Sequence, residues 1–181
     1  MEILEAILAT IHFTSGKATR TVIQKLCYFL KVNGIIDVEF RPHYYGPYSG
    51  DVQESLSSLI GLRFMDEIAG KYESVYSTWR RRKYTYNITE DGKILLDEQK
   101  NTFEYKEIGD IVEKCRKFTD FNLDILSVAA KIHYVLIKEQ KKMSAYHILE
   151  EAKRQGWEID TQSTEKAVAL LEALGLLDLS R

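Results

Sequence analysis

Ile3, Leu4, Ile7, Leu8 and Ile11 recur three and four residues apart, which lays one apolar stripe along a helix over residues 2–14. Ser15 and Gly16 stop it. A second helix is predicted from Thr21, with Gln24 three residues on as the other half of a capping box. It turns Val22, Ile23, Leu26, Cys27, Phe29 and Leu30 inward and ends at Asn33-Gly34, a left-handed stop. Residues 35–48 hold both prolines of the chain, Pro42 and Pro47, and read as an extended or irregular connection. Ser49 caps a third helix that runs to Ile60 and ends at Gly61, buried along Val52, Leu56, Leu59 and Ile60. Leu26, Leu30, Leu56 and Leu59 are expected to pack against the first helix.

After Gly61 the period shortens. Residues 64–68 are a short strand candidate, and residues 71–78 and 83–88, rich in Tyr, Val, Thr and Ile, read as two antiparallel strands. Three helices, a short strand and a hairpin follow the order of a winged helix-turn-helix, with the hairpin as wing. Helices are then predicted from Lys93 to Gln99, Tyr105 to Phe118, Leu123 to Glu139, Ser144 to Gln155 and Ser163 to Leu174. The apolar segment from Val168 that breaks at Gly175 has the form of the one from Val52 that breaks at Gly61. The second half therefore admits a degenerate second helix-turn-helix without a wing.

The predicted fold class is mainly α with a small β-hairpin. A winged-helix-like domain is expected over 1–102 and a helical region packed against it over 103–181. The 181 residues, 45% apolar and 29% charged, fit one compact domain or two small ones, and exclude a disordered or low-complexity chain. No run approaches the ~20 apolar residues of a membrane helix, and the acidic start, Met-Glu-Ile-Leu-Glu, is unlike a signal peptide. Two cysteines, Cys27 and Cys115, are too few for a disulfide scaffold and fit a reduced interior. A cytoplasmic protein with no membrane contact is expected.

Net charge is −2, and neither half is basic, so nucleic-acid binding by bulk positive charge is not expected. One local run differs. Arg80, Arg81, Arg82 and Lys83 follow Trp79 between the two tyrosine-rich strands, where a wing tip could grip phosphates or stack on bases. Against this, the third helix carries Asp51 and Glu54 and neither Lys nor Arg, the wrong sign for a duplex groove. The four histidines show no zinc spacing, the glycines form no phosphate loop, and neither cysteine has a histidine nearby in sequence. Neither catalysis, a metal nor a cofactor is expected.

Lys25-Leu-Cys-Tyr-Phe-Leu-Lys31, His43-Tyr-Tyr-Gly-Pro-Tyr-Ser49 and Tyr86-Asn-Ile-Thr-Glu-Asp-Gly92 resemble, in order and spacing, motifs of the Panacea, or SocA-like, domain. The matching positions are Lys25, Leu26, Tyr28, Gly34, Gly46, Pro47, Thr89 and Gly92. The resemblance implies a winged-helix-like regulator that binds other proteins, as antitoxins and a protease adaptor of that family do. Physically, Gly46-Pro47 fixes a tight turn and Thr89 caps the helix after the hairpin. Tyr28 lies one helical turn from Lys25. Tyr44, Tyr45 and Tyr48 serve either core packing or partner contact. The candidate partner-binding set is thus Tyr28, Tyr44, Tyr45, Tyr48, Trp79, Arg80, Arg81, Arg82 and Lys83, with Gly46, Pro47, Thr89 and Gly92 structural. A protein such as a toxin or regulatory target is the expected partner, DNA through the wing is the alternative, and a homodimer stays open.

Overall fold

The computed structural model describes residues 1–71, 82–139, 145–159 and 161–177. Among them the fold is mainly helical with one small antiparallel sheet. In chain order the elements are α1 (Ile3–Phe13), α2 (Arg20–Val32), α3 (Gly50–Gly61), β1 (Met65–Lys71), β2 (Arg82–Ile88), α4 (Glu90–Gln99), α5 (Phe103–Thr119), α6 (Leu123–Glu139), α7 (Ala145–Arg154) and α8 (Thr161–Ala173).

A single apolar stripe understates the first helix. Residues 6–11 of α1 are buried without interruption, because α2, α3, α4 and α5 surround it. Ala6 and Ala9 let neighbours approach closely, and the enclosed Thr10 hydroxyl donates to the Ala6 carbonyl at 2.7 Å. Leu26, Leu30, Leu56 and Leu59 are all fully buried. One apolar core runs from α1 through α2 and α5 to α6 and α8, so it crosses Thr102 without a break. A smaller cluster of Val135, Ala152 and Trp157 seats α7 on α6.

The second helix starts at Arg20 rather than Thr21, and its cap is Thr19, whose side chain accepts from Val22 N. Gln24 is therefore not half of a capping box; it is buried and points elsewhere. Among the described residues the sheet has two strands: residues 82–88 pair with the segment 65–71, longer than the expected 64–68, in a register from Met65 opposite Ile88 to Lys71 opposite Arg82. The reason is the turn after α3, where Phe64 N bonds the Leu59 carbonyl at 3.0 Å and sends Met65 straight into the core. Residues 72–78 of the expected strand lie outside the described residues. Glu67 joins the sheet to α2, accepting from Arg20 Nη2 at 2.6 Å and from Tyr86 Oη at 2.9 Å.

Thr89 and Gly92 explain their motif. Thr89 accepts from Gly92 N at 3.2 Å and donates to the Arg63 carbonyl at 2.7 Å, tying the start of α4 to the turn after α3. A Cβ on Gly92 would fall 2.1 Å from the Phe64 carbonyl oxygen, so nothing larger fits.

Helices α2, α3, α7 and α8 end in one bonding pattern, an N–H to the carbonyl three back followed by one to the carbonyl five back. The left-handed residue is Gly34, Gly156 or Gly175 in three of them. In α3 it is Arg63, with φ 62°, whereas Gly61, expected to end that helix, is its last helical residue. A β-carbon in that conformation costs about 1 kcal/mol. Arg63→Gly should therefore raise unfolding stability by about 1 kcal/mol in urea titrations, and a loss of stability would contradict the assigned turn.

Candidate functional site

Helix α2 is enclosed on both faces, with α1, α3, α5, α6 and β2 packed around it. Residues 22–30 are all buried, including Gln24 and Lys25. An enclosed amide or ammonium must find partners inside the protein. Both find them in the backbone between α2 and α3. Gln24 Nε2 donates to the Ser49 carbonyl at 2.9 Å, and Ser49 N donates to Gln24 Oε1 at 3.0 Å. Lys25 Nζ donates to the Pro47 carbonyl at 2.6 Å.

The loop so held, residues 41–49, is closed at its base by paired bonds of 2.9 Å between Arg41 and Tyr48. Its tip turns at Gly46, whose N–H donates to the His43 carbonyl at 2.9 Å. The same carbonyl accepts from Trp157 Nε1 at 2.6 Å, which fastens the tip to the turn after α7. Gly46 has φ 93°, and a Cβ there would meet Lys131 Cγ at 3.2 Å. The positive φ favours glycine, and a Cβ would also ask the Lys131 side chain to give by a few tenths of an ångström. Pro47 fixes the next backbone angle, and Ser49 goes on to cap α3 by accepting from Val52 N.

Three anchors from α2 and one from Trp157 leave the tyrosines in fixed positions. Tyr44 is 73% exposed and meets Tyr45 edge to face, with ring centroids 4.8 Å apart. Tyr48 is half-buried, its ring tilted over His43 at 5.0 Å. Tyr28, expected to meet a partner, is instead buried: its ring packs edge-on against Phe40 and its hydroxyl lies 3.0 Å from His133 Nδ1. Packing of α6 over this face of α2 puts it there. Burial pushes the Tyr28 phenol up and the His133 imidazole down to about 4, so both stay neutral at pH 7.

Trp79, Arg80 and Arg81 lie outside the described residues. Arg82 and Lys83 begin β2, opposite Lys71 and Gly70. The solvent face of α3 presents Asp51, Glu54 and Ser57. Cys27 and Cys115 are fully buried, and burial pushes the Cys27 thiol up to about 12, so neither is poised as a nucleophile. Among the described residues no group of His, Cys, Asp and Glu is placed to hold a metal ion, and no helix is long and apolar enough to cross a membrane.

Sequence periodicity and motifs give no sign of Lys131, Ser127, His133 or Trp157, and they read Gln24 as a helix cap rather than a core residue. The one available signal was Lys25 itself, a charge set among apolar neighbours in a strongly amphipathic helix. Comparison with protein-family models and with curated proteins gives no match.

Burial and the nearby Lys131 charge bring the Lys25 ammonium down to about 7 from 10.5. Between those values the unfolded chain binds one proton more than the folded one, so stability rises with pH, by up to about 1.4 kcal/mol per unit. Below pH 7 the full cost of the buried charge is present. His133 acts in the acid range: its contribution is complete above pH 6.5 and is lost as pH falls toward about 4. Urea midpoints should climb from pH 7 to pH 9 in the native chain and flatten in Lys25→Met. A flat native profile over that window would contradict the buried ammonium.

Proposed function

We propose that this chain is a non-catalytic regulatory protein that acts by binding a protein partner. It is an antitoxin-like or adaptor-like module, as its resemblance to the Panacea domain implies. The observation that carries this reading is the loop 41–49. It offers an exposed Tyr44 beside Tyr45 on a backbone fixed at its base, its tip and its junction with α3. Aromatic anchors on a preorganised backbone lose little entropy on binding, and they dominate protein interfaces.

The second reading is a winged-helix DNA-binding regulator, favoured by the run Arg80-Arg81-Arg82-Lys83 in the hairpin sequence. The exposed face of α3 weighs against it. Asp51 and Glu54 there would meet a phosphate array carrying one charge per about 1.7 Å of duplex. The antitoxin-like reading uses the same basic run differently, as a patch that steers an acidic partner.

Affinity purification from the source organism should recover a stoichiometric protein with the native chain and lose it with Tyr44→Ala/Tyr45→Ala. The loss corresponds to about thirtyfold weaker binding for a central aromatic anchor. Replacing Arg80, Arg81 and Arg82 by Ala should mainly slow association with that protein. Labelled duplex DNA bound with micromolar affinity at physiological salt would overturn the proposal. In that case the triple replacement would lower the log–log salt slope by roughly 0.9 per lost phosphate contact.

A further inference from the structure

Residues 36–41 read Ile-Asp-Val-Glu-Phe-Arg, apolar and charged in strict alternation. Burial follows the same alternation. Ile36 is buried and Val38 and Phe40 are half-buried against the core, whereas Asp37, Glu39 and Arg41 are exposed. That is the side-chain pattern of a strand with one covered face. Among the described residues, however, no strand pairs with it, and no backbone-to-backbone hydrogen bond involves residues 36–40. The segment is tied at its ends, where Ile35 N donates to the Leu30 carbonyl at 3.0 Å and Arg41 and Tyr48 exchange bonds of 2.9 Å. Between these ties the main chain is left to water, which makes it a template for an added strand.

A groove of about 490 Å³ runs beside that main chain, and residues 37–40 all line it. Its other wall is apolar: Tyr28 and Val32 from α2, Tyr134 and Ile137 from α6. Phe40 packs edge to face on Tyr28 at 5.3 Å, and the Tyr28 hydroxyl lies 3.0 Å from His133 Nδ1, so this part of the groove is held from behind. Ile137 is 52% exposed and offers apolar surface for a guest to cover.

Charge narrows the choice of guest. Asp37 and Glu39 form the outward row, in exposed ion pairs with Lys31 and Arg41 of the kind that contribute little. A strand laid alongside can set a cation opposite each carboxylate. Antiparallel pairing with a second copy cannot: centred on Val38 it sets Asp37 opposite Glu39, and centred on Glu39 it sets that carboxylate opposite itself.

We propose that this groove receives an extended segment of another protein, added as a strand along residues 37–40, with apolar side chains turned into the groove and basic ones outward. Main-chain bonds hold such a guest, and its alternate side chains select it. The site is independent of the tyrosine loop, since Tyr44 and Tyr45 do not line the groove.

The test is NMR titration of the full chain with a capped octapeptide of alternating valine and lysine. It should shift the amides of residues 37–40 and of Ile137 saturably. Glutamate in place of lysine should weaken binding at least about fivefold, and Asp37→Lys/Glu39→Lys should reverse that preference. Ile137→Asn should weaken binding about tenfold with the melting temperature held, because that side chain is already exposed. Of two peptides N-methylated on alternate residues, the one methylated on the groove-facing amides should lose binding. Retention by both, equal affinity for the lysine and glutamate peptides, or tighter binding of a leucine–lysine peptide of helical spacing would overturn the proposal. So would a native chain that sediments as a dimer split by Ile137→Asn, which would make a second copy the occupant. Binding should persist in Tyr44→Ala/Tyr45→Ala, and its loss there would place the peptide on the loop instead. Unmoved amides at 37–40 would overturn the proposal and leave the proposed function standing.

Discussion

Enclosure of α2 on both faces is the constraint from which the site follows. A helix with one covered face can point its polar side chains to water, but Gln24 and Lys25 have no such exit. Each unsatisfied group would cost about 1–3 kcal/mol, more for the charge, so the connection to α3 is bent until its carbonyls meet them. The bonds to Pro47 and Ser49 set the loop, Ser49 sets the start of α3, and the loop tip rests on α6 and Trp157. Fold and surface are in this sense one arrangement: the polar residues buried in the core are what shape the exposed tyrosines.

The same constraint gives two of the three sequence motifs a physical meaning. Lys25 in the first reaches Pro47 in the second, so the two segments form a single contact 22 residues apart. The third motif is a separate junction, where Thr89 and Gly92 pack α4 against the turn after α3. The motifs are therefore structural in the first instance, and the functional reading depends on what they hold in place. Tyr44 and Tyr45 face outward, while the adjoining helix α3 shows acid to solvent.

Most of the helices were legible because their apolar residues repeat every three or four positions, and the caps at Ser49 and Thr89 and the stop at Gly34 were legible from local chemistry. The interior position of Lys25 and Tyr28 was not. Periodicity marks which face of a helix is more apolar, and it is silent on whether a later helix covers the other face; here α6 does, about a hundred residues downstream. Gln24 fits the spacing of a capping box, yet two bonds to Ser49 inside the core outweigh one at a helix end. The stop after α3 was assigned to Gly61 because glycine is the usual left-handed residue, whereas the turn places Arg63 there. Trp157, 114 residues from its acceptor on His43, had no local signal at all.

The central claim is that buried side chains of α2 hold the tyrosine loop rigid, and amide hydrogen exchange measures this directly. The N–H groups of Arg41, Gly46, Tyr48 and Ser49 should exchange slowly in the native chain, with protection close to that of α2 itself. In Gln24→Leu/Lys25→Met that protection should collapse at Tyr48 and Ser49 while α1 keeps its own. Rapid exchange of the loop amides in the native chain, or undiminished protection in the double variant, would contradict the account.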